Sequence, residues 1–280
     1  MKRVRAEILQ SRRLGAYHAI TLVAPEIAES ARPGQFLQVA VPTGRDILLR
    51  RPFWIHKASR QGGWSGTLEF SFDPTEEGSE WLGKVTAHEF LDVIGPLGRG
   101  FAYPKSRNNC LLVSEGYAAG QLYFLAEELK ALGKRVDMIL AAPTQEGVFK
   151  PIEAKRLSQT ISVVTGEGGV EEAARVTGAL PGTIERCGSN VVYAAGPVSM
   201  LRAVAEYCRA KQIPSQVAVE ERMACGWGQC YTCVVPVSRK EGSGFDYLRS
   251  CVDGPVFNST RILWDKWLGN IAPPAARERT

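Results

Sequence analysis

Up to about residue 103, apolar and polar positions alternate in short runs broken by Gly, Pro and Asp. Such period-two runs predict strands with one buried face. They fall at Arg5–Leu9, Tyr17–Ala24, Gln35–Val41, Asp46–His56, Gly66–Asp73 and Glu89–Ile94. Short strands at regular spacing predict an antiparallel β-barrel over residues 1–103. From 104 to 215 the rhythm changes. Apolar runs at Asn109–Ser114, Arg135–Ala141, Thr160–Thr165 and Asn190–Ala195 alternate with helical patterns. In Ala119–Leu132 the residues Leu122, Leu125, Leu129 and Leu132 recur at helical spacing, and Val198–Lys211 is a second clear helix. Strands alternating with helices predict a parallel sheet of the nucleotide-binding sort. Residues 216–262 form a third, small unit, with extended segments Gln216–Val219 and Val234–Val237 around a cysteine-rich loop. Residues 263–280 are expected to be a C-terminal tail, and Ala272–Thr280, rich in Pro, Ala and Arg, reads as disordered. The fold class is therefore α+β and multidomain.

Composition narrows this picture only a little. At 280 residues the chain holds two ordinary domains and an appendage, and 45% hydrophobic with 22% charged residues is typical of a globular protein. The start, Met-Lys-Arg-Val-Arg-Ala-Glu, is too polar for a signal or anchor, and no apolar run is long enough to cross a bilayer. A cytoplasmic chain without a membrane role is expected. The net charge of +5 is spread without a basic patch, so nucleic-acid binding is not expected.

Seven cysteines change the picture more. Cys110, Cys187 and Cys208 stand in apolar or helical contexts and read as buried thiols acting as small hydrophobes. The other four are Cys225, Cys230 and Cys233, spaced C-x4-C-x2-C, and Cys251 further on. That is the ligand pattern of a plant-type [2Fe–2S] cluster. Gly226 and Gly228 suit the loop, because a residue without a Cβ takes positive φ and lets backbone N–H groups turn towards the sulfurs. A zinc site is the rival, but only Cys230 and Cys233 form a C-x2-C pair. A disulfide framework would need an oxidising compartment. A unit this small would draw much of its stability from the bound cluster.

In the barrel, Leu48-Leu-Arg-Arg-Pro-Phe-Trp-Ile55 puts two arginines beside two aromatics on one strand. Alternation places Arg51 and Phe53 on one face and Arg50, Pro52 and Trp54 on the other. A guanidinium for a pyrophosphate and an aromatic for a ring could hold a flavin nucleotide; a purely structural strand is the plainer reading. Gly78-Ser-Glu-Trp-Leu82 opens a short helix with Ser79 or Thr75 as cap. Its free N–H groups would attract phosphate, and an ordinary capped helix accounts for the same residues. Gly95-Pro-Leu-Gly-Arg-Gly-Phe101 lacks a following helix and is no dinucleotide fingerprint. In the second domain, Val113-Ser-Glu-Gly-Tyr-Ala-Ala-Gly120 joins strand to helix where a pyridine nucleotide would put its pyrophosphate, yet Glu115 brings a negative charge there. Ala194-Ala-Gly-Pro197 is the matching turn at a later strand end.

Arg-Pro-Phe-x-Ile, Gly-Pro-Leu-Gly-x-Gly-Phe, Gly-Pro-x-x-Met-Leu and Glu220-Glu-Arg-Met-Ala-Cys225 through Cys233 follow one another in this order, with Cys251-Val-Asp-Gly-Pro-Val-Phe257 after them. In that order they resemble the electron-transfer subunit of the two-subunit dihydroorotate dehydrogenase of type B, within the ferredoxin–NADP reductase superfamily. The resemblance covers residues 5–262. It implies FAD in the barrel, an NAD-binding second domain, and a [2Fe–2S] cluster on Cys225, Cys230, Cys233 and Cys251 near a catalytic partner subunit. It implies a first flavin motif at Arg51, Pro52, Phe53 and Trp54, the last standing where Ser or Thr is usual. Ser71, Phe72 and Asp73 fall on a second flavin segment, with Asp73 where a basic residue is more usual, and Gly78 and Ser79 match the pyrophosphate contact. The family's Gly-Gly-Gly-Ile-Gly-x-Ala-Pro turn appears as Ser114-Glu-Gly-Tyr-Ala-Ala-Gly-Gln121, with Tyr117 where Ile is usual. Its Cys-Gly-Pro appears as Ala195-Gly-Pro.

The expected function is an oxidoreductase electron-transfer subunit. Electrons would pass between a dihydroorotate-oxidising subunit and NAD through the cluster and FAD, in pyrimidine biosynthesis and within a hetero-oligomer. His18, His56 and His88 lie outside every motif, so no catalytic acid or base is assigned. Two alternatives stay open: a ferredoxin reductase-like subunit serving another donor or acceptor, and a regulatory relative that has lost NAD-linked turnover.

Overall fold

Strict alternation builds the first sheet. In β7 (Phe90–Leu97) the residues Leu91, Val93, Gly95 and Leu97 are buried while their neighbours face outward. The same pattern recurs along β1 (Lys2–Leu14), β2 (Tyr17–Val23) and β6 (Thr67–Phe72), where Ala6, Ile8, Ile20, Leu22, Leu68 and Phe70 form one core. With β3 (Phe36–Val39), β4 (Arg51–Trp54) and β5 (Lys57–Ser59) they make a seven-stranded antiparallel sheet in the order β4-β3-β7-β1-β2-β6-β5. The short helices α1 (Pro25–Ala28) and α2 (Glu77–Leu82) lie between strands. The expected barrel is an open, curled sheet, and side chains complete its closure. Phe53 on the edge strand β4 packs against Phe70 and Phe72 on β6, with centroids 4.9 and 5.4 Å apart.

This computed structural model describes residues 1–41, 49–106, 108–166 and 172–271. The first part of the expected strand Asp46–His56 and the expected disordered tail 272–280 lie outside the described residues.

The second sheet has six strands in the order β10-β9-β8-β11-β12-β15. Its strands are β8 (Asn109–Glu115), β9 (Arg135–Ala142), β10 (Ile161–Thr165), β11 (Val191–Ala195), β12 (Ser215–Ala218) and β15 (Val256–Asn258). All pair in parallel except the edge strand β15. β8 is buried on both faces: Cys110 and Leu112 meet Leu122, Leu125 and Leu129 of α3 (Ala119–Ala131), while Leu111 and Val113 meet α5 (Glu172–Cys187) and α6 (Val198–Ala210). Helix α4 (Pro151–Leu157) completes the α3 side. The strand order reverses between β8 and β11, so the carboxyl ends of these two strands flank the crevice where doubly wound sheets take ligands.

The third segment extends the second sheet: β12 pairs with β11, and β15 returns to pair with β12. A hairpin of β13 (Val234–Ser238) and β14 (Phe245–Arg249) stands beside it. The expected tail corrects likewise: Trp264–Ile271 is a helix, α7, and Trp264 and Trp267 are buried against Val235 and Val237. Spaced three apart, both indoles face the same side of that helix.

Candidate functional site

The cysteine loop runs from the end of β12 to β13. Gly226 and Gly228 have φ of 82° and 94°, and a Cβ on either would stand 2.3 Å from the buried Gln38 or 2.6 Å from Val252. Both glycines are therefore obligatory, for conformation and for space. Arg249 anchors the loop: it donates to the Gly228 carbonyl at 2.8 Å and lies over the Tyr231 ring at 4.8 Å. The four thiols form two pairs. Cys233 lies beside Cys251, and Cys225 beside Cys230. The Cys251 contact is the largest cause that brings the Cys233 thiol down to about 5, and the Thr232 hydroxyl, donating at 3.2 Å, brings Cys230 down to about 6. Four thiols in two neighbouring pairs fit a binuclear cluster, whose irons take two thiolates each.

A cavity of about 530 Å3 opens beside this loop. Arg51, Pro52, Phe53 and Trp54 of β4 line it, with Ser71, Phe72, Asp73 and Ser79. Gly78 is buried next to Ser79 in α2. The Nε of Arg51 and the hydroxyl of Ser71 are buried without a hydrogen-bond partner, a costly state that a bound polar group would relieve. Together with the aromatic wall, these donors fit a flavin nucleotide. Arg50, as alternation predicts, turns away and pairs with Asp92 at 2.6 Å. Pro52 and Trp54, expected on the opposite face, nonetheless line the cavity, because β4 is an edge strand and the cavity wraps around it. The expected cap also differs. Glu76 is the N-cap of α2, and Ser79, three residues on, accepts the Glu76 N–H at 3.0 Å and donates to the Glu76 carbonyl at 3.0 Å.

The remaining wall is Glu220 to Ala224 and Thr232, leading straight into Cys225 and Cys233. One side of this cavity is thus the segment that runs into the cysteine loop. In the sequence the only mark of this segment as a cavity wall is the acidic Glu220-Glu221 directly before the first cysteine. Thr75 and Glu76 were likewise missed as lining residues.

The β8–α3 turn differs from a phosphate-binding turn. Gly116 has φ of 61°, and a Cβ there would stand 2.9 Å from the Tyr17 hydroxyl; a Cβ on Gly120 would collide with the His56 ring at 2.1 Å. Both glycines serve the packing of α3 on the barrel. Tyr117 reaches into the cavity and donates to both oxygens of Glu220, at 3.1 and 3.3 Å. Burial raises the pKa of Glu220, opposed by hydrogen bonds from Tyr117 and Trp54. Gly196, at the β11 turn, approaches Glu115 so closely that a Cβ would stand 3.3 Å from it.

A curled antiparallel sheet, a parallel-sheet domain and a four-cysteine loop around one cavity define the class of ferredoxin–NADP reductase-like flavin and iron-sulfur proteins. A chain of the NADH-dependent reduced ferredoxin–NADP oxidoreductase superposes with a TM-score of 0.80 at 25% identity, covering 96% of this chain and 93% of that one. Phthalate dioxygenase reductase, at 16% identity and a TM-score of 0.61, shares the fold over 85% of this chain and 87% of its own. The iron-sulfur cluster binding domain of dihydroorotate dehydrogenase B matches residues 220–263. The dihydroorotate dehydrogenase B (NAD(+)) electron transfer subunit of Bacillus caldolyticus is 35% identical over 251 residues, spanning 88% of this chain and 92% of the relative. That of Desulforamulus reducens is 30% identical over 242 residues, spanning 86% and 90%. The chain belongs to this family of electron transfer subunits.

Proposed function

We propose that this chain is the electron-transfer subunit of a dihydroorotate dehydrogenase, passing electrons between a dihydroorotate-oxidising catalytic subunit and NAD through a [2Fe–2S] cluster and FAD, in pyrimidine biosynthesis. The observation that carries the reading is the shared wall: residues 220–224 and Thr232 border the cavity and the cysteine loop at once. Two redox groups held on opposite sides of such a wall exchange electrons over a short path, which is the chemistry FAD and the cluster supply when bound.

The residues divide that work. Arg51 offers its unpartnered guanidinium edge and Ser71 its hydroxyl to the flavin nucleotide. Phe53, Phe72 and Trp54 supply apolar walls, and Gly78 and Ser79 are the residues of α2 assigned to the pyrophosphate end. Cys225, Cys230, Cys233 and Cys251 hold the cluster, with Thr232 and the Gln229 N–H, 3.4 Å from the Cys225 sulfur, stabilising thiolate charge. No side chain of this chain acts as catalytic acid or base in the reading. The domain assignment is a flavin barrel at 1–103, a nucleotide-binding domain at 104–215 and a cluster segment at 216–262. On the outer face Trp227 and Tyr231 are 38% and 59% exposed beside the exposed Cys230. Exposed aromatics around a redox centre form a fitting seat for the catalytic subunit. Seven unbridged cysteines suit the cytoplasm, where thiols stay reduced. None of the described helices is long and apolar enough to cross a membrane.

The test is anaerobic co-purification with the catalytic subunit. Flavin with about two irons and two sulfides per chain is expected, and dihydroorotate should bleach the flavin band in the complex and leave the isolated chain oxidised. Zinc in place of iron, or no effect of dihydroorotate on the complex, would overturn the reading. The likeness to the ferredoxin–NADP oxidoreductase chain favours one second reading, a ferredoxin-linked reductase. Bleaching by reduced ferredoxin and not by dihydroorotate would select it.

A further inference from the structure

Among the described residues, Tyr117 is the sole contribution of the parallel-sheet domain to the wall of the cavity. It stands two residues beyond the end of β8, at the reversal point where a dinucleotide would lie across the strand ends. Its phenol therefore stands between that crevice and the cavity. Its hydroxyl is fixed on Glu220, and its ring meets Tyr17 edge-on at 5.7 Å. Tyr17 is itself anchored, donating to the Gly147 carbonyl at 3.0 Å. Behind the phenol, Gly116 at positive φ opens a single 3-10 turn packed against the Tyr17 hydroxyl. Trp54 lies on the same carboxylate from the barrel side. Two of the side chains that depart from the family pattern, Trp54 and Tyr117, thus stand beside one acid on the cavity wall.

We propose that Tyr117 is a specificity-determining gate between the dinucleotide crevice and the flavin cavity, latched shut by Glu220. The proposal rests on the reading of the cavity as the flavin site. A ligand that binds only the open form has its apparent affinity lowered by the open fraction, so a latch closed more than nine-tenths of the time weakens binding at least about tenfold.

The experiment compares the wild-type holoprotein with Tyr117→Phe, which keeps the ring and loses the latch, and Tyr117→Ala, which removes the gate. NAD+ binding is measured by calorimetry on the oxidised proteins, and the flavin band is followed after mixing with NADH. At least about tenfold tighter binding by Tyr117→Ala, with Tyr117→Phe in between, and faster bleaching in the same order are expected. Unchanged affinity in both variants, weaker binding, or no binding by any of the three proteins would overturn the gate. A purely structural tyrosine would lower the melting temperature and flavin content without raising NAD+ affinity. Should the chain prove to hold no flavin, the function reading fails by its own spectrum, while the calorimetric comparison still decides the gate.

Discussion

Gly226 carries a test that separates conformation from space. A left-handed residue with a Cβ costs about 1–2 kcal/mol, and overpacking a buried neighbour adds about 1–3 kcal/mol. At Gly226 both terms apply, because Gln38 is fully buried and cannot retreat. Gly226→Ala should therefore lower stability by about 2–5 kcal/mol in denaturant titration, with iron and sulfide per chain falling in step. Gly242 is the control: its φ is 76°, but a Cβ there meets nothing within 4 Å. Gly242→Ala should cost only the conformational term and leave the iron content intact. The sequence made the two loop glycines legible because the chemistry of a wrapped cluster demands them. Gly116 and Gly120 were misleading for the converse reason. They sit where a phosphate turn belongs, yet contacts with Tyr17 and His56, remote in sequence, are what require them.

At the scale of elements, long periodic segments were legible and short or interrupted ones were not. α3 and α6 fall within a residue of their expected ends. α5 was passed over because Gly178, Pro181 and Gly182 interrupt it, although Val176, Leu180, Thr183 and Cys187 form a buried stripe at helical spacing. β5, only three residues long, has too few positions for a period. An apolar cluster joins these elements across the first two domains, and the polar groups set among it are invisible in the sequence. His56, between β4 and β5, is buried against Gly120 of α3 and edge-on to Phe149, 5.7 Å away. Burial brings its pKa down from 6.5 to about 3. Unfolding releases the imidazole to bind a proton, so stability should fall as the pH drops from 6.5 towards 3. The limiting slope is about 1.4 kcal/mol per pH unit, and His56→Gln should flatten it in this window. Glu69 of β6 pairs with Lys150, just before α4, at 2.5 Å. Burial pushes the Glu69 pKa up, but Lys150 and Arg12 outweigh it and leave it below 4.5. Its contribution is present above that pH and is lost as the pH falls through the lower folded value. Glu69→Gln should cost about 3 kcal/mol near neutral pH and remove the part of the acid slope that lies below 4.5. Denaturant midpoints measured from pH 7 to pH 4 separate the two residues.

For the whole molecule, motif order along the chain was legible, and the three-way junction it builds was not. Arg51 in the first sheet, Tyr117 in the turn after β8 of the second and Glu220 before the cysteines are distant in sequence, and only the folded chain puts them around one cavity. The same holds for the far end. Helix α7 lies in what sequence reading took for a tail, yet the Trp267 indole donates to Glu221, a residue of the cavity wall, and its ring is 1% exposed in the second domain's core. The C-terminal helix therefore braces the wall shared by the flavin cavity and the cluster loop. Two substitutions divide its roles. Trp267→Ala removes a buried indole and should cost about 3–5 kcal/mol in denaturant titration, with flavin and iron lost together. Trp267→Phe keeps most of the packing and deletes the hydrogen bond, so it should retain the cluster while weakening flavin affinity several-fold, read by flavin fluorescence on dilution. If Trp267→Ala held flavin at wild-type affinity, the helix would be packing alone and the wall would stand without it. If Trp267→Phe behaved as Trp267→Ala, loss of volume would explain the coupling, and Glu221 would need no indole to hold its place.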